Sequence, residues 1–209
     1  MNCRYDERVE CIMRAAVLGA LAALPLAAPA LAAEPGWHEA ALEQARTVHR
    51  ETMPADCDAD RPGAAEPEVA FPIRIGEGEG ARDVLLVQFR CLLGAYNAVA
   101  VFVLVDETGT AAPVQFLTPE AAIVYVDADQ TQVESIAVGG IVERRTLVNP
   151  VYDPERQTLE AYGKWRGLGD AYELTRWALR DGRFELVYYA VDATYDLQDN
   201  PQVLIDEQQ

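Results

Sequence analysis

The chain has 209 residues, half of them hydrophobic, with 34 Asp or Glu against 17 Lys or Arg and a net charge of −17. That length suits one ordinary domain with an appendage, and the composition is too apolar for wholesale disorder. The acidic excess excludes a phosphate-binding footprint, so no nucleic acid is expected as a partner, and anionic membranes are disfavoured; a basic protein fits better.

The N-terminus reads as a targeting signal. Arg14 precedes a long apolar run, and Ala30-Leu31-Ala32 supplies the small-x-small cleavage pattern. Pro25 and Pro29 interrupt the run and no basic cluster follows it, so no integral membrane span is expected in the mature protein. The reading is a signal peptide over residues 1–32 with its true start at Met13, cleaved to leave a periplasmic or secreted protein. Cleavage after Ala32 removes three acids and three bases, leaving the charge at −17. It also removes Cys3 and Cys11. Cys57 and Cys91 then remain, and an oxidising compartment predicts a disulfide between them; two buried free thiols are the alternative.

Residues 33–82 read as a helix followed by a connector. Trp37, Ala41, Leu42, Ala45 and Val48 recur at helical spacing over 37–53, and Pro54 stops the pattern. A stretch rich in Pro, Gly and acids runs from there to residue 83, with a short strand at 71–75. Residues 83–209 read as an antiparallel β domain. Strands are predicted at 84–91, 95–105, 114–117, 121–126, 133–138 and 141–148, with a turn at Asp106-Glu107-Thr108-Gly109 and a type I turn at Asp153-Pro154-Glu155-Arg156. Asp181-Gly182 predicts a hairpin with a type I′ turn. Its register would set Leu179 opposite Phe184, Trp177 opposite Leu186 and Thr175 opposite Tyr188, with the large apolar side chains on one face. The fold class is therefore mainly β: an antiparallel sheet or sandwich built from hairpins, plus one N-terminal helix.

Catalytic chemistry is poorly provided for. The one serine, Ser135, falls in a predicted strand without a nucleophile elbow. His38 and His49 both lie in the helix, about 16 Å apart at ~1.5 Å rise per residue, and read as solvated. Asp127-Ala-Asp129-Gln-Thr131 begins like a calcium loop but lacks its turn glycine and terminal Glu, so the acids read as turn residues. Gly163 to Gly169 lacks the Gly-Lys-Ser/Thr ending of a phosphate loop, and its glycines read as backbone turns. No catalytic residue, metal site or cofactor is expected.

Cys91-Leu92-Leu93-Gly94-Ala95-Tyr96-Asn97 is followed in order by Leu147-Val148-Asn149-Pro150-Val151-Tyr152-Asp153, by Lys164-Trp165-Arg166-Gly167-Leu168-Gly169-Asp170, and by Trp177 with Asp181-Gly182-Arg183-Phe184. The series, spanning residues 84–191, resembles the bacterial domain-of-unknown-function family numbered 1176. The resemblance marks Gly94, Tyr96, Asn97, Asn149 and Pro150 as family-motif residues. It implies an exported protein and no established activity. The family pattern is expected to continue with Cys-Gly, where this chain has Ala171 and Tyr172.

The leading functional expectation is a non-catalytic binding module for an envelope component, a basic envelope protein fitting the charge. Inhibition of a cationic cell-wall hydrolase such as lysozyme is one alternative, and an envelope hydrolase using carboxylates alone is another. The candidate binding loop is Lys164, Trp165, Arg166, Gly167, Gly169 and Asp170, because Trp and Arg are enriched at interface hot spots. The competing reading packs Trp165 into the sheet and pairs Arg166 with a nearby acid.

Overall fold

The computed structural model describes residues 36–52, 57 and 68–207. The predicted signal segment, with Met13, Cys3 and Cys11, lies outside them, as does most of the connector. The amphipathic segment forms helix α1 (Trp37–Thr52), whose buried stripe is Ala41, Ala45 and His49, each one turn beyond the last.

This stripe lies on a five-stranded antiparallel sheet. Its strands β1 (Val69–Ile75), β2 (Arg82–Leu93), β3 (Ala98–Asp106) and β4 (Ala111–Pro113) pair in that order, and β7 (Thr146–Val148) also pairs with β3. β1 confirms the strand predicted inside the connector and extends it. Along β2, Leu85, Val87, Phe89 and Cys91 point towards α1, while Val84 and Leu86 enter the core on the other face. Burial on both faces explains why β2 reads as a nearly continuous apolar run.

The second five-stranded sheet has the order β12–β11–β10–β9–β8. Its strands are β8 (Val151–Asp153), β9 (Thr158–Lys164), β10 (Tyr172–Arg180), β11 (Arg183–Asp192) and β12 (Gln202–Asp206). Phe102, Phe116, Leu159, Trp177, Leu179 and Phe184 fill the core between the sheets. Phe116 is its hub, with ring centroids 5.2 Å from Trp177 and 5.5 Å from Phe184. Trp177 satisfies its buried indole by donating Nε1–H to the Leu117 carbonyl at 2.8 Å. Among the described residues the molecule is thus a mainly β, antiparallel sandwich with one α-helix near the N-terminus.

A separate hairpin, β5 (Phe116–Tyr125) and β6 (Val133–Arg144), forms a two-stranded sheet. Its Ala121, Ile123 and Tyr125 pack on Tyr189 and Val191 of β11. Here the predicted breaks at 118–120 and 139–140 do not occur. Among the described strands β5 pairs only with β6, and an edge strand of this kind tolerates a proline such as Pro119. Gly139 is the extra residue of a bulge rather than the end of a strand. The predicted strand at 141–148 instead divides, at Arg145, into the end of β6 and β7.

The β10–β11 hairpin turns as expected, with φ of 49° at Asp181 and 84° at Gly182. Leu179 faces Phe184 and Trp177 faces Leu186. A bulge after Arg176 then shifts the register, so Thr175 faces Tyr189 and not Tyr188. His49 also departs from expectation. It is buried, 1% exposed, and stacks on Phe89 with centroids 4.1 Å apart, because it continues the stripe begun by Ala41 and Ala45. Burial, with a smaller contribution from the Arg50 charge, lowers its pKa from 6.5 to about 4. Cys57 is disulfide-bonded to Cys91, closing a separation of 34 residues between the segment after α1 and β2.

Candidate functional site

The inner face of β10 carries Glu173, Thr175, Trp177 and Leu179 in alternation, opposite Gly163, Ala161 and Leu159 of β9. Trp177 and Leu179 belong to the sandwich core. Glu173 and Thr175 lie beyond it, and a cleft of about 520 Å³ opens over them. Its walls are Thr118 to Ala121 and Arg144 of the β5–β6 hairpin, Thr146 to Val148 of β7, and Trp165 after β9. The volume is in the range of small-ligand sites.

Glu173 is the chemically distinctive group. Burial raises its pKa, opposed by a hydrogen bond from Tyr189 and by the Arg144 charge, while Glu120 adds to the rise. The Tyr189 hydroxyl donates to its Oε2 at 3.3 Å. Burial, reinforced by the Glu173 charge, raises the Tyr189 pKa, so that phenol remains a donor at neutral pH. Gly163 supplies the space: a Cβ there would lie 3.2 Å from Glu173 Cγ and 3.3 Å from its Oε1. At the rim, Arg144 pairs with Glu120 at 2.7 Å. Two glutamates therefore share the cleft with one arginine, and one negative charge is left without a partner of opposite sign among the lining residues.

The predicted loop touches this cleft through one residue. Trp165 packs beside Tyr189 and Val191 and forms part of the wall. Arg166 turns away: its Nε donates to Asp170 Oδ1 at 2.7 Å, Nη2 bonds the other carboxylate oxygen, and its guanidinium lies 5.0 Å from the Tyr195 ring centroid. Asp170, 9% exposed, also accepts the Leu197 amide at 3.1 Å. The Arg166 hydrogen bonds lower the Asp170 pKa to about 2. Gly169 has φ of 72°, and its carbonyl accepts the Tyr162 hydroxyl at 3.1 Å. The Lys164 carbonyl accepts Asn97 Nδ2 at 2.8 Å, and Gly167 sits against the Tyr96 ring. This is a loop braced to the C-terminal segment, with its ends pinned by the family-motif asparagine and tyrosine.

The motif residues themselves hold backbone. Gly94 donates its amide to the Asn97 carbonyl at 2.7 Å, and a Cβ on Gly94 would come within 3.1 Å of that oxygen. Asn149, at φ of 44° before Pro150, accepts the Ala98 amide at 2.7 Å. The turn acids behave similarly: Asp127 accepts from Thr131 and Gln132, and Asp153 from Glu155 and Arg156.

A second hollow, about 590 Å³, lies on the outer face of the second sheet. Its Arg176 already pairs with Glu160 at 2.7 Å, and its Arg156 with Asp153 at 3.2 Å. The cleft at Glu173 is the better candidate, because its acceptors are less fully used. Sequence reading missed Glu173, Thr175, Tyr189, Glu120 and Arg144. The available signal was the hairpin register, which already set a glutamate and a threonine on the core face. Among the described residues no three His, Cys, Asp or Glu side chains gather as metal ligands, and no helix is long and apolar enough to cross a membrane.

Sandwich, braced loop and lateral cleft define an antiparallel β protein. The chain belongs to the family described as protein of unknown function (DUF1176), which matches residues 14–197. No curated protein and no solved structure matches it.

Proposed function

We propose that this is an exported, non-catalytic binding module of the cell envelope that captures a basic protein through the cleft. The carrying observation is the charge arrangement: Glu120 is tied to Arg144 while Glu173 has no countercharge of its own, in a chain with net charge −17. Complementary potentials accelerate encounter with a cationic partner and select against acidic ones. The signal-like N-terminus supports the compartment. Inhibition of a cationic cell-wall hydrolase is the sharpest form of this reading. The test is capture of lysozyme by the immobilised protein, with lysine-acetylated lysozyme as control. Capture that weakens as salt rises, and with acetylation, supports the reading; no capture of native lysozyme or of the basic fraction of an envelope extract overturns it.

The raised pKa of Glu173 favours one second reading, a carboxylate-dependent hydrolase, since a general acid needs such a shift. It is the weaker one, because the other carboxylate of the cleft is engaged by Arg144 and exposed. Peptidoglycan turnover abolished by Glu173→Gln would reverse the ranking.

A further inference from the structure

We propose that Glu173 and Thr175 form the floor of a subsite that receives one arginine side chain of the partner, with Trp165 as its wall. The inference rests on the reading of a basic partner given above and specifies which group of that partner is recognised.

The argument is one of unused acceptors. Glu173 Oε2 accepts from Tyr189, whereas no described residue donates to Oε1. Thr175 is 3% exposed and lines the cleft, and its hydroxyl has no hydrogen-bond partner among the described residues. Two oxygens on successive inward positions of one strand thus open onto the cleft without a protein donor. A ligand side chain that displaces water from them must replace its hydrogen bonds, and a charged acceptor demands more than a neutral one. The occupant should therefore bring several donors and a positive charge, at the end of a stem narrow enough to enter.

Guanidinium meets each requirement. It carries five N–H donors in a planar fork, suits a carboxylate, and stacks on an aromatic face. Gly163 keeps the Glu173 carboxylate reachable, since a side chain there would crowd Oε1. Glu120 adds negative potential at the rim even while paired with Arg144. A neutral sugar could donate hydroxyls to the same oxygens but would gain nothing from the charge, and an acidic ligand would be repelled.

The experiment is an NMR titration of the exported protein with acetyl-arginine-amide, acetyl-lysine-amide and acetyl-citrulline-amide, the last being the neutral isostere. The arginine probe should shift the Trp165 indole and the Gly163 and Thr175 amides. It should bind about tenfold or more tightly than citrulline, with lysine between them. Glu173→Gln, matched to the parent in unfolding midpoint, should lose about the same factor, and Glu160→Gln on the outer face should lose none. Equal binding of arginine and citrulline, or shifts confined to other residues, would overturn the subsite. Lysozyme capture unaffected by Glu173→Gln would remove the subsite and leave the basic-partner reading intact. Arginine-probe binding without capture of any basic protein would do the reverse.

Discussion

Asn149 donates from Nδ2 to Asn97 Oδ1 at 2.8 Å, and each amide also holds the backbone of a third segment. Asn149 Nδ2 reaches the Tyr162 carbonyl at 2.8 Å, and Asn97 Nδ2 the Lys164 carbonyl at 2.8 Å. The pair therefore fastens the turn before β3 and the end of β7 to strand β9 in the opposite sheet. It joins the two layers by hydrogen bonds at a margin of the apolar core.

Replacing either asparagine by alanine leaves partly buried carbonyls and amides without partners. Each single variant should lose about 1–3 kcal/mol of stability. The double variant should lose less than the sum, with a coupling of about 0.5 kcal/mol or more. Urea unfolding of the four proteins measures this; strict additivity would show that the amides act independently.

Trp177→Ala should cost about 3–5 kcal/mol, because it removes a fully buried ring from contact with Phe116 and leaves the Leu117 carbonyl unpaired. Asp181→Ala should cost much less, since Gly182 still allows the turn. An unchanged denaturant midpoint for Trp177→Ala would contradict the observed packing.

His49 gives the fold an acid-sensitive component. Its folded pKa of about 4 lies below the ordinary 6.5, so the unfolded chain takes up the proton first. Stability from this residue is complete above pH 6.5 and is lost as pH falls from there towards 4. His49→Phe should flatten the decline over that interval. A parent midpoint already flat between pH 7 and 4 would count against the buried neutral ring.

Asp170 acts in a lower window. Its folded pKa of about 2 lies below the ordinary 3.8, so its contribution is complete above that value and fades as pH drops from about 4 to 2. Asp170→Asn should remove this acid limb. Arg166→Ala should lower the unfolding midpoint, because it strips a buried carboxylate of its partner. A midpoint indistinguishable from the parent would argue for a recognition role instead.

The disulfide should be complete, so protein made without residues 1–32 should titrate with no free thiol in denaturant without reductant. Reduction should lower the midpoint, with roughly 4 kcal/mol as the ceiling from the chain-entropy argument for a 34-residue separation. Recovery of two thiols per chain would exclude the bond.

Much of the architecture was legible because it depends on local periodicity. The helix, the long strands β2 and β3, and the Asp181-Gly182 hairpin each carry their signal within a dozen residues. The Thr175 pairing was not legible, since nothing local marks a bulge after Arg176. Neither was the burial of His49, which depends on Phe89 forty positions later in the chain. The candidate site was the least legible part. Glu173 becomes special only when Gly163, Tyr189, Glu120 and Arg144 arrive from four other strands, and no linear spacing encodes that meeting. The loop that did stand out, around Trp165 and Arg166, stood out by residue type, and most of its groups serve to brace it.

The bulge at Gly139 bears on how the β5–β6 hairpin avoids polymerising. Among the described strands β6 bonds only to β5, so along its twelve residues every second one turns its backbone donor and acceptor to an open margin. Such a margin invites a neighbouring chain to add itself as the next strand. The inserted glycine breaks the regular spacing midway, and Glu134, Glu143 and Arg144 place charge near both ends. The hairpin can thus keep a free margin beside the sandwich, leaving the cleft open, without acting as a template for fibre growth.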